Sequence, residues 1–158
     1  MIVVSDTSPL NYLVLIGFDH LLPSLFGQVA VPPQVLAEMQ HANAPPAVSE
    51  WARRSPTWLE IRSPHTKGQF FGLGPGESAA IALAQELHAA ALLIDERHGA
   101  AVAQELGFVV TGTLGILCLA AEKGLLSLPT PFPRCAKPPF AVQQRSWKNC
   151  CESMPPAA

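Results

Sequence analysis

Charge is scarce in this sequence. Asp, Glu, Lys and Arg make up 14% of its 158 residues, where globular proteins usually carry about a quarter. The formal net charge is −2, which excludes a strongly basic nucleic-acid coat and a polybasic membrane binder. It leaves room for a nucleic-acid enzyme that grips phosphate through a metal ion. No apolar run comes near the roughly 20 residues of a membrane span, so no membrane partner is expected. The N-terminal apolar stretch has no Lys or Arg before it and contains Asp6, a pattern unlike a signal peptide. Cysteine is also short: of four, only Cys118 falls within the first 128 residues. That spacing excludes a disulfide framework and points to a reducing, cytoplasmic setting. A chain of this length buries roughly two thirds of its unfolded surface and needs no staples to hold a core.

What is present divides near residue 128. Residues 129–158 hold 7 of the 16 prolines, three of the four cysteines and one acid, Glu152. Residues 1–128 hold 11 of the 12 acids. The domain is therefore expected over 1–128, followed by a Pro/Cys-rich tail at 129–158 whose prolines bar regular helix or sheet.

Within 1–128 the pattern alternates. Ile2-Val3-Val4 is a short β-branched run, read as a buried strand that stops at Ser5-Asp6. Ser8-Pro9 reads as a helix start, with Ser8 as cap. That helix runs to a stop at Gly17, and Asp19 caps a second short helix. Val29-Ala30-Val31 is a strand, and Pro32-Pro33 opens a helix carrying Val35, Leu36 and Met39. A helix over 47–54 and an extended segment over 58–61 follow. Gly74-Pro75-Gly76 reads as a breaker before a helix over 77–88. A strand over 91–94 ends in Asp95, a helix covers 96–106, a strand 108–110 and a final helix 113–123. Strands alternating with helices imply a parallel sheet covered on both faces.

With acids so few, their positions are informative. Asp6 and Asp95 each follow an apolar strand, and in open α/β sheets ligands bind beyond the carboxyl ends of strands. Glu77 lies in the first turn of its helix, where a carboxylate also offsets the helix dipole. Glu38 sits among Val35, Leu36 and Met39, and its plain reading is a solvated helix face. Gathered together, such carboxylates repel unless a cation neutralises them. An oxygen-only donor set suits Mg²⁺ or Mn²⁺. His20, His41, His65, His88 and His98 are scattered without zinc spacing. Metal-assisted phosphodiester hydrolysis is the chemistry such a centre supports. Arg62, Lys67 and Arg97 are available for backbone contacts, while Arg53 and Arg54 read as solvated charges.

Five segments, in order, resemble the PIN-domain family, and within it the prokaryotic branch of VapC-like toxins. They are Val4-Ser5-Asp6-Thr7-Ser8-Pro9-Leu10, Val31-Pro32-Pro33-Gln34-Val35 leading to Glu38, Gly74-Pro75-Gly76-Glu77-Ser78-Ala79-Ala80, Leu93-Ile94-Asp95-Glu96-Arg97 and Val110-Thr111-Gly112-Thr113-Leu114-Gly115. The resemblance implies a three-layer α/β/α sandwich with a central parallel sheet. It implies an Mg²⁺- or Mn²⁺-dependent endoribonuclease, with RNA as substrate and a small antitoxin protein as partner. By position Asp6, Glu38, Glu77 and Asp95 match the family's acidic quartet, with Asp6, Glu77 and Asp95 as metal ligands. Thr7 or Ser8 matches the small hydroxyl residue after the first acid, which would hold a metal-bound water or that carboxylate. Glu96 is placed to assist Asp95. Many members carry a further acid where this chain has Arg97, so a catalytically impaired, binding-only relative is the alternative reading. An Asp-nucleophile phosphatase also puts an acid after a strand. It wants a second Asp where this chain has Ser8, and a Lys before the last acid that is absent.

Relatives continue past the final helix with another helical segment. Here the codons of Trp147-Lys148-Asn149-Cys150-Cys151, read from the last base of the Trp codon, give Glu, then Lys or Glu, then Leu-Leu. That is an amphipathic-helix phrase, so the tail is read as a shifted frame, with a disordered extension as its alternative. A zinc site from Cys135, Cys150 and Cys151 ranks third, because no CxxC pair exists. The apolar helices over 10–16 and 21–26 are candidates for a homodimer face, with core burial the preferred use.

Overall fold

The computed structural model describes residues 1–127. The readings of 129–158 as a shifted or disordered tail, and of its cysteines as a zinc site, lie outside the described residues.

The elements run β1 (Val3–Ser5), α1 (Thr7–Leu15), α2 (Leu21–Phe26), β2 (Val29–Val31), α3 (Pro33–Met39), α4 (Pro46–Arg53), β3 (Leu59–Ile61), α5 (Pro75–Glu86), β4 (Ala91–Leu93), α6 (Arg97–Glu105), β5 (Val110–Thr111) and α7 (Thr113–Glu122). The five strands form one sheet in the order β3-β2-β1-β4-β5. Every pairing is parallel, with Val3 opposite both Val29 and Ala91.

The strands are apolar at successive positions because both faces are covered. Val3, Val29, Val31, Leu59, Ala91 and Leu93 point to one face and pack with Leu10 and Leu13 of α1, Leu22 of α2, Val35 of α3, Val48 of α4 and Ile116 of α7. Val4, Ala30, Leu92, Ile94 and Val110 point to the other, against Ala80, Ile81 and Leu83 of α5 and Ala103 of α6. This is the three-layer α/β/α sandwich expected from the sequence. Leu10, Leu13, Leu21, Leu22 and Leu25 are fully buried, so the first two helices use these side chains in the core. Among the described residues, no helix is long and apolar enough to cross a membrane.

Three helix starts differ from the sequence reading. α1 begins at Thr7 with Asp6 at its N-cap, so Ser8 lies inside the first turn. α2 is preceded by His20, and Asp19 instead accepts a hydrogen bond from the Trp51 indole at 2.9 Å. The Gly74-Pro75-Gly76 breaker is the start of α5 itself, with Gly74 as N-cap and Pro75 as first residue. Proline suits that position because its missing N–H would have no helical partner there.

Candidate active site

At the centre of the sheet β1 and β4 are neighbours, and the chain order runs outward from them in opposite directions. Such a switch point leaves a crevice beyond the strand ends. Ser5 pairs with Leu93, and the Asp6 N–H donates to the Leu93 carbonyl at 2.9 Å. Asp6 therefore emerges from β1 at the level where β4 ends, two residues before Asp95.

Asp6 is the most buried of the four acids. It is only 2% exposed and makes no side-chain cap bond to α1. Its Oδ1 is buried without a hydrogen-bond partner. Burial pushes its carboxyl up to about 7, and the nearby carboxylates of Glu77 and Glu38 push the same way, while the Thr7 and Ser8 N–H groups oppose them. Desolvation and like charge both disfavour an ionised carboxylate.

Glu77 divides its two oxygens. As the third residue of α5 it reaches back so that Oε2 accepts from the Gly74 N–H at 2.9 Å, satisfying an orphan donor of the helix start. Its Oε1 is buried and unpartnered. The other side of Glu77 is Gly99 of α6, where a Cβ would stand 3.0 Å from Oε1. The first turns of α5 and α6 thus close around this carboxylate.

Glu38 belongs to the site rather than to a merely solvated face. Its Oε1 accepts from the Gly76 N–H at 2.9 Å, and its Oε2 accepts from the Thr7 hydroxyl. Gly76 allows this approach, since a Cβ there would lie 2.6 Å from both Glu38 oxygens. Asp95 is held by one residue: Thr113 donates its N–H to Oδ1 at 2.7 Å and its hydroxyl to Oδ2 at 2.6 Å. Glu96 turns to its own helix, capping α6 by accepting from the Gly99 N–H at 2.8 Å.

Two expectations shift accordingly. The Thr7 hydroxyl bonds Glu38 and not the Asp6 carboxylate. Glu96 serves α6 and makes no bond to Asp95. Arg97 is exposed at the start of α6, whereas Arg53 and Arg54 pair with Glu50, as solvated charges do. Thr113 was not singled out by the sequence reading, although a Gly-Thr pair opening a helix after a strand was visible. Among the described residues no group of three or more His, Cys, Asp or Glu side chains closes into a ligand set. The bonds above commit most oxygens of Glu38, Glu77 and Asp95 to helix starts. The two orphaned oxygens, Asp6 Oδ1 and Glu77 Oε1, are the atoms that fit a hard divalent cation. Asp95 keeps lone pairs beyond its two bonds to Thr113.

A doubly wound parallel sheet with carboxylates at its switch point defines an α/β protein with an acidic crevice where sheets of this class usually bind ligands. A family model described as a PIN domain matches residues 2–132. The chain belongs to the PIN-domain family, whose members are generally nucleases and typically use divalent metals. Among solved structures it is similar to a PilT N-terminus domain protein from the archaeon Sulfolobus solfataricus P2, at 19% identity and a TM-score of 0.57, over 77% of this chain and 95% of that one. That likeness is one of fold. No curated protein matches the sequence.

Proposed function

We propose that this chain is an Mg²⁺- or Mn²⁺-dependent endoribonuclease and the toxin of a toxin–antitoxin pair. The observation that carries the nuclease reading is the pair of buried, unpartnered oxygens, Asp6 Oδ1 and Glu77 Oε1. An unsatisfied buried carboxylate is unfavourable, and a divalent cation is the partner that relieves two at once. Asp6 and Glu77 would hold the ion, with Asp95 completing the set. When bound, the ion lowers the pKa of water and polarises the phosphodiester. Glu38 keeps Thr7 and the start of α5 together, which fixes Glu77 against Asp6. Thr113 fixes Asp95 in the same way, so Glu38, Glu77 and Asp95 are each oriented by a donor within the fold.

The ribonuclease and toxin parts of the reading rest on the resemblance to VapC-like sequences, as does the antitoxin partner. A binding-only relative is favoured by Arg97 and by the double commitment of Asp95 to Thr113. RNA cleavage with added Mn²⁺ decides between them. The wild-type chain should cleave and Asp6→Asn should not. Equal cleavage by both would remove the acids from the chemistry, and no cleavage by either favours the binding-only reading.

A further inference from the structure

The segment between β3 and α5, residues 62–74, has no regular element, yet it is anchored twice. Near its start, the Glu86 carboxylate at the end of α5 accepts from the N–H groups of His65 at 3.0 Å and Thr66 at 2.8 Å. The Thr66 hydroxyl adds a bond at 2.8 Å, and His65 Nδ1 lies 3.0 Å from the same carboxylate. Near its end, His98 Nε2 of α6 lies 3.0 Å from the Phe71 carbonyl oxygen. Gly72 follows with φ +77, and a Cβ there would stand 3.0 Å from His98 Nε2. Between these anchors the Phe71 side chain is held out into solvent, 99% exposed.

The same segment walls a groove of about 750 Å³ whose lining includes Gln34, Lys67, Phe71, Leu73, Pro75 and Ser78. Pro75, the first residue of α5, and Ser78 in its first turn form one wall of the groove. Its charge is unlike that of the chain around it. Residues 1–127 carry 11 Asp and Glu against 6 Lys and Arg, yet the lining holds one cation, Lys67, and no carboxylate. Lys67 forms no ion pair among the described residues. A groove with a free ammonium, amide and hydroxyl donors and an exposed ring suits a polyanion that carries flat apolar groups. Single strands are held by that combination of stacking and phosphate contact.

We propose that Phe71 is a stacking platform for a base of single-stranded RNA, with Lys67 on the strand's phosphates. The choice of RNA rests on the ribonuclease reading. The platform itself rests on the exposure of Phe71 and the charge of the groove.

The test is binding of a labelled single-stranded RNA to the full chain, followed by fluorescence anisotropy in EDTA so that no strand is cut. Phe71→Ala should weaken binding by about 5- to 150-fold, the range of one lost base–aromatic stack, and Phe71→Trp should restore it. Lys67→Gln should flatten the salt dependence, as expected for a lost phosphate contact. Tyr12→Ala, which removes another exposed ring, should change nothing. An RNA affinity indifferent to Phe71, or no RNA binding by the wild-type chain, overturns the proposal, and the first result points to a protein partner for the ring. Cleavage with Mn²⁺ is scored separately. A chain that cuts RNA without using Phe71 keeps the nuclease reading and loses this one, and a chain that binds through Phe71 without cutting does the reverse.

Discussion

Replacing Asp6 by Asn keeps the shape of the side chain and removes its titration, and the consequence can be worked out in advance. The Asp6 carboxyl is raised from 3.8 to about 7 in the folded chain. Between those values the folded chain holds a proton that the unfolded chain has released, so folding stability falls as pH rises. The contribution is fully present below about pH 4 and is lost once pH has risen through about 7. At about 1.4 kcal/mol per unit, the whole shift is worth roughly 4 kcal/mol. From pH 5 to pH 8 the wild-type chain should lose about 2.5–3 kcal/mol through this group alone. Asp6→Asn should escape that loss. Its thermal midpoint, measured in EDTA, should therefore gain on the wild type by roughly 6–10 °C between those pH values. Other groups that titrate in the window are common to both chains and cancel in the comparison. Added Mn²⁺ should raise the wild-type midpoint at pH 8 by mass action and leave Asp6→Asn nearly unmoved. Parallel midpoints for the two chains across this pH range would refute the account of Asp6 as a buried, repelled carboxylate.

Three further perturbations test the surroundings. Gly76→Ala would put a methyl 2.6 Å from both Glu38 oxygens; it should displace Glu38 and abolish cleavage while urea unfolding shifts by only about 1 kcal/mol, because alanine's helix preference offsets part of the lost bond. Glu86, whose carboxyl is held down to about 2 by the donors of His65 and Thr66, contributes stability that is present above its ordinary range and lost as pH falls through about 2. Glu86→Gln should accordingly speed hydrogen exchange in residues 62–74 at neutral pH with little change in global unfolding. Leu22→Ala, at a fully buried position, should destabilise by about 2–5 kcal/mol, read from the denaturant midpoint.

The strands and most helices were legible because two faces of cover leave a plain signature: an unbroken apolar run such as Ala91-Leu92-Leu93-Ile94 closed by an acid. Helix starts were harder to place. Gly74-Pro75 looked like an interruption because the same residues that break a helix also begin one, and only the bond from the Gly74 N–H to Glu77 separates the cases. Ser8 and Asp19 were sound local caps that lost to longer-range demands, namely the switch-point position of Asp6 and the indole of Trp51. The acids themselves stood out through their scarcity. Which oxygen each one uses did not, since the pairing of Glu38 with Thr7 spans 31 residues and that of Asp95 with Thr113 spans 18. The bracing of the 62–74 segment by Glu86 and His98 left no mark in the local sequence.

Asp6 belongs to the first strand, and the residue that steadies Asp95 opens the last described helix. A nascent chain halted before residue 113 would carry all four carboxylates but lack the brace that orients the last of them. If cleavage depends on that brace, any cutting begins only when synthesis of the domain is nearly complete. Truncation just before residue 113 should then leave a polypeptide with every acid present and no cutting.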